Sequence, residues 1–190
     1  GLAVRDQLLD EPLLTFCLAP HAPYTVGEQS FARVLTLAEQ LDLPIHLHLH
    51  ETVQEIEDSL QRFGKRPIER LRQLGLLSPA LIAVHAVHLE ADELELLAQH
   101  GCSVAHCPSS NLKLASGIAP VAQMLKGEVT VGIGTDGPAS NNDLDMFEEV
   151  RLAAILAKTA ASDPTVLPAR QALLMATRQG AEALFIGDIT

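Results

Sequence analysis

Hydrophobic and polar residues alternate strictly over residues 45–50, which read Ile-His-Leu-His-Leu-His. An alternation with period two is typical of a β-strand, and it places His46, His48 and His50 on one face. Three imidazoles on one strand face would be costly to bury without partners. We therefore expect this face to border a metal or a polar cavity.

Apolar runs and amphipathic segments alternate along the whole chain. Five strands are predicted, over residues 14–19, 45–50, 81–88, 103–106 and 129–134. Helices are predicted over residues 29–41, 53–63, 67–74, 92–100, 118–126, 143–158 and 169–184, with Asn142 as N-cap of the sixth. Continuous apolar strands followed by helices predict an α/β fold with a parallel sheet. That sheet is either part of a (β/α)8 barrel or an open doubly wound sheet.

The 190 residues suffice for one domain, 1–190, with a real core. A complete barrel needs eight strands and typically about 250 residues, so five strands would make only part of one. Because the chain starts at Gly1 and stops just after a predicted helix, we expect it to be a piece of a longer protein.

Charge and cysteine content narrow the function classes. The net charge is −11 and no dense Lys/Arg run occurs, which argues against nucleic-acid or anionic-membrane binding. There is no transmembrane run or secretory signal pattern. Cys17, Cys102 and Cys107 form no CxxC pair and are odd in number, which favours a reducing, cytoplasmic location.

Chemically reactive residues follow the apolar strands. Glu51 comes directly after the histidine strand, His85 and His88 close the next apolar run, and Asp136 follows the last strand. His85 and His88 are three apart, so strand geometry brings at most one of them to a common site. Polar residues at the ends of successive buried strands are typical of a barrel-mouth active site. From position alone, Glu51 could equally start a helix, and Asp136 could form a turn with Gly137.

Three familiar motifs do not fit. Residues 132–137 match GxGxxG, but no helix opens there and no second strand with an acid follows about 20 residues later. The string beginning at His50-Glu51 ends in Gln54, so it is not HExxH. The cysteine-ligated deaminase pattern is absent as well, and Cys107 is expected to be a small buried residue.

Five motifs together resemble the amidohydrolase superfamily. They are PHAPYT (20–25), HLHET (48–52), VHAVHL (84–89), CPSSNLKLASGIAPV (107–121) and GTDGPASNN (134–142). They are most similar to the branch of 5′-methylthioadenosine/S-adenosylhomocysteine deaminases, with triazine hydrolases as relatives. The resemblance implies that the chain is about the last five β/α units of a (β/α)8 barrel, without the first strands and the small β-domain.

The resemblance implies a role for each matched residue. His48 would bind a metal, and Asp136 would bind the same metal and act as general base. Glu51 would contact the substrate ring and deliver a proton to a ring nitrogen. His85 would hydrogen-bond the attacking water or the developing oxyanion.

His21 and Ser140 would contact the substrate. Because no lysine ends the strand before His21, the resemblance implies a single divalent ion, zinc or alternatively iron. The implied reaction converts 5′-methylthioadenosine, S-adenosylhomocysteine or adenosine to its inosine form with release of ammonia, using metal-activated water. Partners would be the small-molecule nucleoside and, through exposed barrel edges, further copies of the chain.

The family's first-strand H-x-H pair is not in this chain. A stable metal site usually needs three or four protein ligands, so we expect the isolated chain to bind metal weakly and to be inactive. Two other readings stay open: a hydrolase that releases chloride or an amine from a triazine-like or other heterocyclic ring, and a non-catalytic binding fragment.

Overall fold

The computed structural model describes residues 1–187 and contains one four-stranded parallel sheet. Its strands are β1 (Ile45–Leu49), β2 (Leu81–His85), β3 (Ser103–His106) and β4 (Thr130–Ile133), in the order β1-β2-β3-β4. The helices among the described residues are α1 (Leu2–Gln7), α2 (Glu28–Leu41), α3 (Val53–Phe63), α4 (Pro67–Gln73), α5 (Ala91–Gln99), α6 (Pro108–Lys113), α7 (Val121–Lys126), α8 (Met146–Ala161), α9 (Ala169–Ala176) and α10 (Arg178–Ala183). Each strand pairs with the next one along the chain, as successive β/α units require.

One face of the sheet forms the main hydrophobic core. The register aligns Leu47, Ala83, Val104 and Val131 in one row across the four strands. Apolar side chains from the surrounding helices pack on this face, among them Phe31, Leu71, Leu97, Met124 and Ala153. Burying a large aliphatic or aromatic side chain contributes about 1.5–3 kcal/mol, so this layer supplies much of the stability.

The opposite face carries the row His48, Val84, Ala105 and Gly132. A Cβ atom on Gly132 would lie 3.1 Å from the Cα of Gly180 in α10. Glycine at this position therefore lets α10 approach the β4 end of this face. At the β1 end the histidines stay partly exposed.

The predicted strand over residues 14–19 is wrong. Only Leu18 pairs with the sheet, through a single parallel bridge to Ile45. The bridge consists of Leu18 N–H donating to Pro44 C=O and His46 N–H donating to Leu18 C=O, both at 2.9 Å. One rung fixes the segment beside β1 without making it a strand, so the described residues contain four strands rather than five.

Several helix predictions need smaller corrections. The N-cap of α8 is Asp145, whose Oδ1 accepts N–H bonds from Phe147 and Glu148, and not Asn142. The last predicted helix is two helices, because Thr177 leaves helical geometry at φ −126° and ψ −96°. Helices α1 and α6 were not predicted. None of the helices over residues 1–187 is long and apolar enough to cross a bilayer.

Candidate active site

The turn after β1 separates the three histidines of the alternating segment. His50 adopts φ +53°, so its side chain leaves the face that His46 and His48 share. It is fully buried, and its Nε2 accepts the backbone N–H of Ile68 at 3.2 Å. The prediction of three histidines on one face is therefore wrong for His50, because a left-handed residue ends the strand there.

A buried carboxylate holds the backbone that carries Glu51. Glu55 accepts the N–H groups of His50 at 3.2 Å and of Glu51 at 3.0 Å. Thr52 caps α3 by accepting the N–H of Glu55 at 3.2 Å. Since both backbone donors are bound to one carboxylate, the Glu51 side chain starts from a fixed position at the carboxyl edge of the sheet.

His85 lies at the same edge, at the end of β2. It and Ala86 both have positive φ, +72° and +47°. Such conformations are uncommon outside glycine and concentrate at functional sites. The His85 Nε2 lies 3.0 Å from His48 Nδ1 and 3.7 Å from Glu51 Oε2, and its Nδ1 lies 2.9 Å from Asn111 Oδ1.

Three predicted site residues thus converge. His48, Glu51 and His85 each offer one ligating atom, and these atoms all lie within 4.8 Å of one another. Burial, followed by the nearby imidazoles of His85 and His21, lowers the pKa of His48. A neutral imidazole is the form that binds a metal ion, and nitrogen with carboxylate oxygen is a donor set that suits zinc. The group is chemically fit to hold such an ion.

Asp136 is positioned by serine hydroxyls. Ser110 and Ser140 both donate to its Oδ2, at 2.7 and 2.6 Å. Burial alone would raise the pKa of this carboxyl, but the two hydroxyl bonds lower it below its usual value. Asp136 also has positive φ, +61°, and it does not belong to the group of three ligating side chains. Its roles as metal ligand and general base stay predictions.

The two predicted substrate contacts lie beside these groups. The His21 ring packs edge-on against the His48 ring with centroids 5.1 Å apart. Its Nδ1 lies 2.8 Å from the Thr25 hydroxyl, which also lies 3.2 Å from Ala22 C=O. The Ser140 hydroxyl donates its proton to Asp136, so its oxygen can only accept a hydrogen bond from a ligand.

The expectation that only one of His85 and His88 serves the site agrees with their hydrogen bonds. His88 Nε2 instead contacts Ser116 C=O at 2.7 Å. Cys107 is buried as expected, and burial raises the pKa of its thiol.

Sequence reasoning missed Ser110 and Asn111, although both were part of a motif that supported the resemblance. They are almost completely buried in α6 and touch Asp136 and His85. The available signal was Pro108, which suits the first position of a helix, directly after a strand. Glu149 of α8 was missed too. It is fully buried and accepts the Ser109 N–H at 3.0 Å and the Asn141 amide at 2.7 Å.

Comparison with known proteins identifies the family. A model of the amidohydrolase family matches residues 2–189. The chain belongs to this family. The predicted resemblance is confirmed.

The amidohydrolase chain is similar to curated deaminases. The 5-methylthioadenosine/S-adenosylhomocysteine deaminase of Teredinibacter turnerae is 47% identical over 188 residues, which are 99% of this chain and 42% of that protein. The enzyme of the same name from Moorella thermoacetica is 51% identical over 174 residues, 92% of this chain and 41% of that protein. The chain thus spans about two fifths of the length of these relatives.

Solved structures resemble it over nearly its whole length. An adenosine deaminase from Xanthomonas campestris with bound zinc has a TM-score of 0.96 at 54% identity, covering 98% of this chain and 42% of that one. A mutant atrazine chlorohydrolase from Arthrobacter aurescens, complexed with zinc and atraton, has a TM-score of 0.91 at 30% identity, again covering 98% and 42%. The predicted α/β fold, part of a (β/α)8 barrel, is confirmed by this match and by the parallel sheet.

Proposed function

We propose that the chain supplies the C-terminal part of the barrel of a metal-dependent aminohydrolase. The proposed reaction converts 5′-methylthioadenosine, S-adenosylhomocysteine or adenosine and water to the corresponding inosine form and ammonia. The observation that carries the proposal is the convergence of His48, Glu51 and His85 at the carboxyl edge of the sheet. The names of the similar deaminases support the substrate class.

The ion would be held by His48 and Asp136, together with ligands outside this chain. When bound, a divalent ion lowers the pKa of a water molecule to about 7 and so supplies a nucleophile at neutral pH. We propose zinc, with iron as the alternative for a His/Asp donor set. The bound zinc of the Xanthomonas campestris structure supports zinc.

Side chains of this chain carry out the remaining steps of the proposed reaction. Asp136 takes a proton from the attacking water through its Oδ1, since Oδ2 already accepts two hydroxyl bonds. Glu51, as the protonated acid, donates a proton to the ring nitrogen next to the carbon under attack, which makes that carbon more electrophilic. The proton held by Asp136 then passes to the amine, which leaves as ammonia, and the proton of the added hydroxyl restores Glu51 as the carbonyl forms. His85 accepts a hydrogen bond from the attacking water through Nε2, the nitrogen 3.7 Å from the Glu51 carboxylate.

His21 and Ser140 are proposed as substrate contacts. The hydroxyl oxygen of Ser140 is a hydrogen-bond acceptor, because its proton is donated to Asp136. An acceptor suits donor groups such as ribose hydroxyls. These contacts would orient the nucleoside over His48.

A second candidate is hydrolysis of a triazine-like ring with loss of chloride or an amine. The fold match to the atrazine chlorohydrolase favours it, because the same fold and zinc occur there. The identity to that enzyme is 30%, against 54% to the adenosine deaminase, so we place it second.

The test is loss of the adenine ultraviolet band on incubation with the zinc-loaded protein encoded by the complete reading frame. Methylthioadenosine, adenosylhomocysteine, adenosine and a chlorinated triazine would be compared at equal concentration. Conversion of a nucleoside to its inosine form supports the proposal, and the relative rates name the substrate. Turnover of the triazine alone would replace it with the second candidate.

The 190-residue chain would be assayed in parallel. We expect no turnover and only weak zinc binding by equilibrium dialysis, because this chain supplies only two of the proposed ligands, His48 and Asp136, and a stable site usually needs three or four. Tight stoichiometric zinc binding by this chain would contradict that expectation and point to a self-sufficient site.

A further inference from the structure

We propose that Ser110 and Asn111 are positioning residues for the reaction, each fixing one atom of a reactive side chain at the carboxyl edge of the sheet. Ser110 fixes Oδ2 of Asp136, and Asn111 fixes Nδ1 of His85. The atoms left to the reaction are then Asp136 Oδ1 and His85 Nε2. This inference rests on the proposed function.

The Ser110 contact determines which carboxylate oxygen is free. Its hydroxyl lies 2.7 Å from Asp136 Oδ2, and the Ser140 hydroxyl lies 2.6 Å from the same oxygen. Ser110 is fully buried, so its hydroxyl is shielded from bulk solvent. Two donors on one oxygen also restrict rotation of the carboxylate, which keeps Oδ1 facing the opposite way.

The Asn111 contact determines which imidazole nitrogen carries a proton. A carbonyl oxygen only accepts hydrogen bonds, so the 2.9 Å contact with Asn111 Oδ1 favours a proton on His85 Nδ1. The Nε2 atom, 3.0 Å from His48 Nδ1, then presents its lone pair to the site and acts as a hydrogen-bond acceptor there. An acceptor on the far side of a site histidine commonly fixes its tautomer in this way.

Asn111 makes a poor contribution to stability for so buried a residue. Its side-chain Nδ2 is buried and has no hydrogen-bond partner among residues 1–187. A buried unsatisfied donor is destabilising, so packing alone does not explain an asparagine here. The contact with His85 does explain it.

Helix α6 is itself fixed from outside the site. The Ser109 N–H donates to Glu149 at 3.0 Å, and Glu149 also accepts the Asn141 amide at 2.7 Å. That amide donates in addition to Thr135 C=O at 3.0 Å, next to Asp136. Ser110 and the loop bearing Asp136 therefore share one anchor on α8, which keeps their distance constant.

The first experiment measures the tautomer of His85 directly. Two-bond ¹H–¹⁵N correlation spectra of the complete protein without metal report which ring nitrogen of His85 is protonated. We expect Nδ1–H for His85 and a tautomer mixture in Asn111→Leu. A wild-type Nε2–H tautomer would overturn the Asn111 half of the proposal, whatever the enzyme's substrate proves to be.

The second experiment separates positioning from folding in the complete enzyme. Ser110→Ala and Asn111→Leu should each lower kcat about 10–100-fold and change KM by less than about threefold, as expected for outer-shell partners. Ser109→Ala is the matched control, since the side chain of Ser109 makes no hydrogen bond to the described residues and only its backbone N–H is used. Its kcat should equal that of the wild type.

Conservative variants provide a further test of the proposal. Asn111→Asp keeps an acceptor oxygen at His85 Nδ1 and should recover most of the activity that Asn111→Leu loses. If Ser110→Ala does not fold, Ser110→Cys keeps a weak donor and should retain intermediate kcat. Wild-type kcat in both Ser110→Ala and Asn111→Leu would overturn the proposal. Absence of nucleoside turnover by the wild type would count against the proposed function alone, because the tautomer is measured without substrate.

Discussion

His48 and His50 are two residues apart on one alternating segment, yet they belong to regions of opposite character. His48 lies in a partly open site, where one ligating atom each of His48, Glu51 and His85 lies within 4.8 Å of the other two. His50 lies in a closed network, with its Nε2 on the Ile68 N–H and its Nδ1 3.5 Å from Glu93. Because His50 has a left-handed backbone conformation, one alternating pattern contains both a residue of the candidate site, His48, and a residue of a structural network, His50.

Glu93 is the centre of the structural network, because both His50 and Arg66 contact its carboxylate. It is almost fully buried and accepts two bonds from Arg66, at 2.6 and 2.9 Å. Burial would raise the pKa of Glu93, but His50 and Arg66 lower it to about 2. Variants in the two regions should therefore change different measured quantities.

The largest effect is expected from Glu51→Gln in the complete enzyme. Loss of the proton donor should lower kcat by about 10²–10⁴-fold. Zinc content by atomic absorption and the free energy of unfolding should stay near the wild-type values. Glu57→Gln, on the exposed side of α3, is the control. Loss of zinc in Glu51→Gln would show that Glu51 is a ligand rather than a proton donor.

Separate substitutions of His48 and His50 test whether the two histidines have different roles. His48→Gln should weaken zinc binding by the complete protein at least about 10-fold, because it removes a proposed ligand. His50→Gln should leave zinc affinity unchanged and lower the free energy of unfolding, because the Ile68 N–H and Glu93 lose their partner. Isothermal titration with zinc and urea unfolding measure the two quantities. Equal loss of zinc affinity in both variants would remove the distinction.

Removal of the Glu93 carboxylate should be the main stability defect. Glu93→Ala leaves Arg66 and His50 without their buried partner, and breaking a buried pair costs about 3–5 kcal/mol. Arg66 stays partly exposed, so we expect the lower end, about 3 kcal/mol. Glu95→Ala, on the exposed side of the same helix, should change stability by less than about 0.5 kcal/mol. A small loss in Glu93→Ala would show that the network contributes little.

Acid should produce a smaller effect through the same carboxylate. The pKa of Glu93 is lower in the folded chain, about 2, than its ordinary value of 4.5. Its stabilisation is therefore complete above pH 4.5 and is lost as the pH falls towards 2. Urea unfolding at about pH 5 and about pH 3 should show this loss in the wild type and less of it in Glu93→Gln. Equal pH dependence in both proteins would contradict the assignment.

The strands that carry the candidate site were predictable because their signal is local. Ser103–His106 was predicted with its observed bounds, and β1, β2 and β4 were found with ends that differ by a few residues. Their apolar runs end at polar residues, which indicated Glu51 and His85, whereas His48 was singled out from the three histidines only by the resemblance to the family. Residues 14–19 carry the same apolar signal, but a strand needs neighbours, and Leu18 makes only one bridge.

The features that could not be predicted from the sequence depend on contacts between residues that lie far apart in the chain. Nothing in the alternation of residues 45–50 reveals that His50 turns away, since the turn is stabilised by Ile68 and Glu55, which lie on later helices. Ser110 and Asn111 lie in a six-residue helix, too short for a clear amphipathic period. Their partners follow β4 and end β2, so only the strand register brings the pairs together.

The strictly sequential order of the sheet has a consequence for synthesis on the ribosome. Each strand pairs with the strand that precedes it in the chain, so β1 and β2 can associate before β4 has been made. Domains are built from the N-terminal side during translation. His48 and His85 would then meet early, while Asp136 is added after its hydroxyl partner Ser110 is already in place. A chain stalled before residue 130 would carry the paired imidazoles without the carboxylate, so the synthesis of Asp136 completes the set that also contains His48, Glu51 and His85.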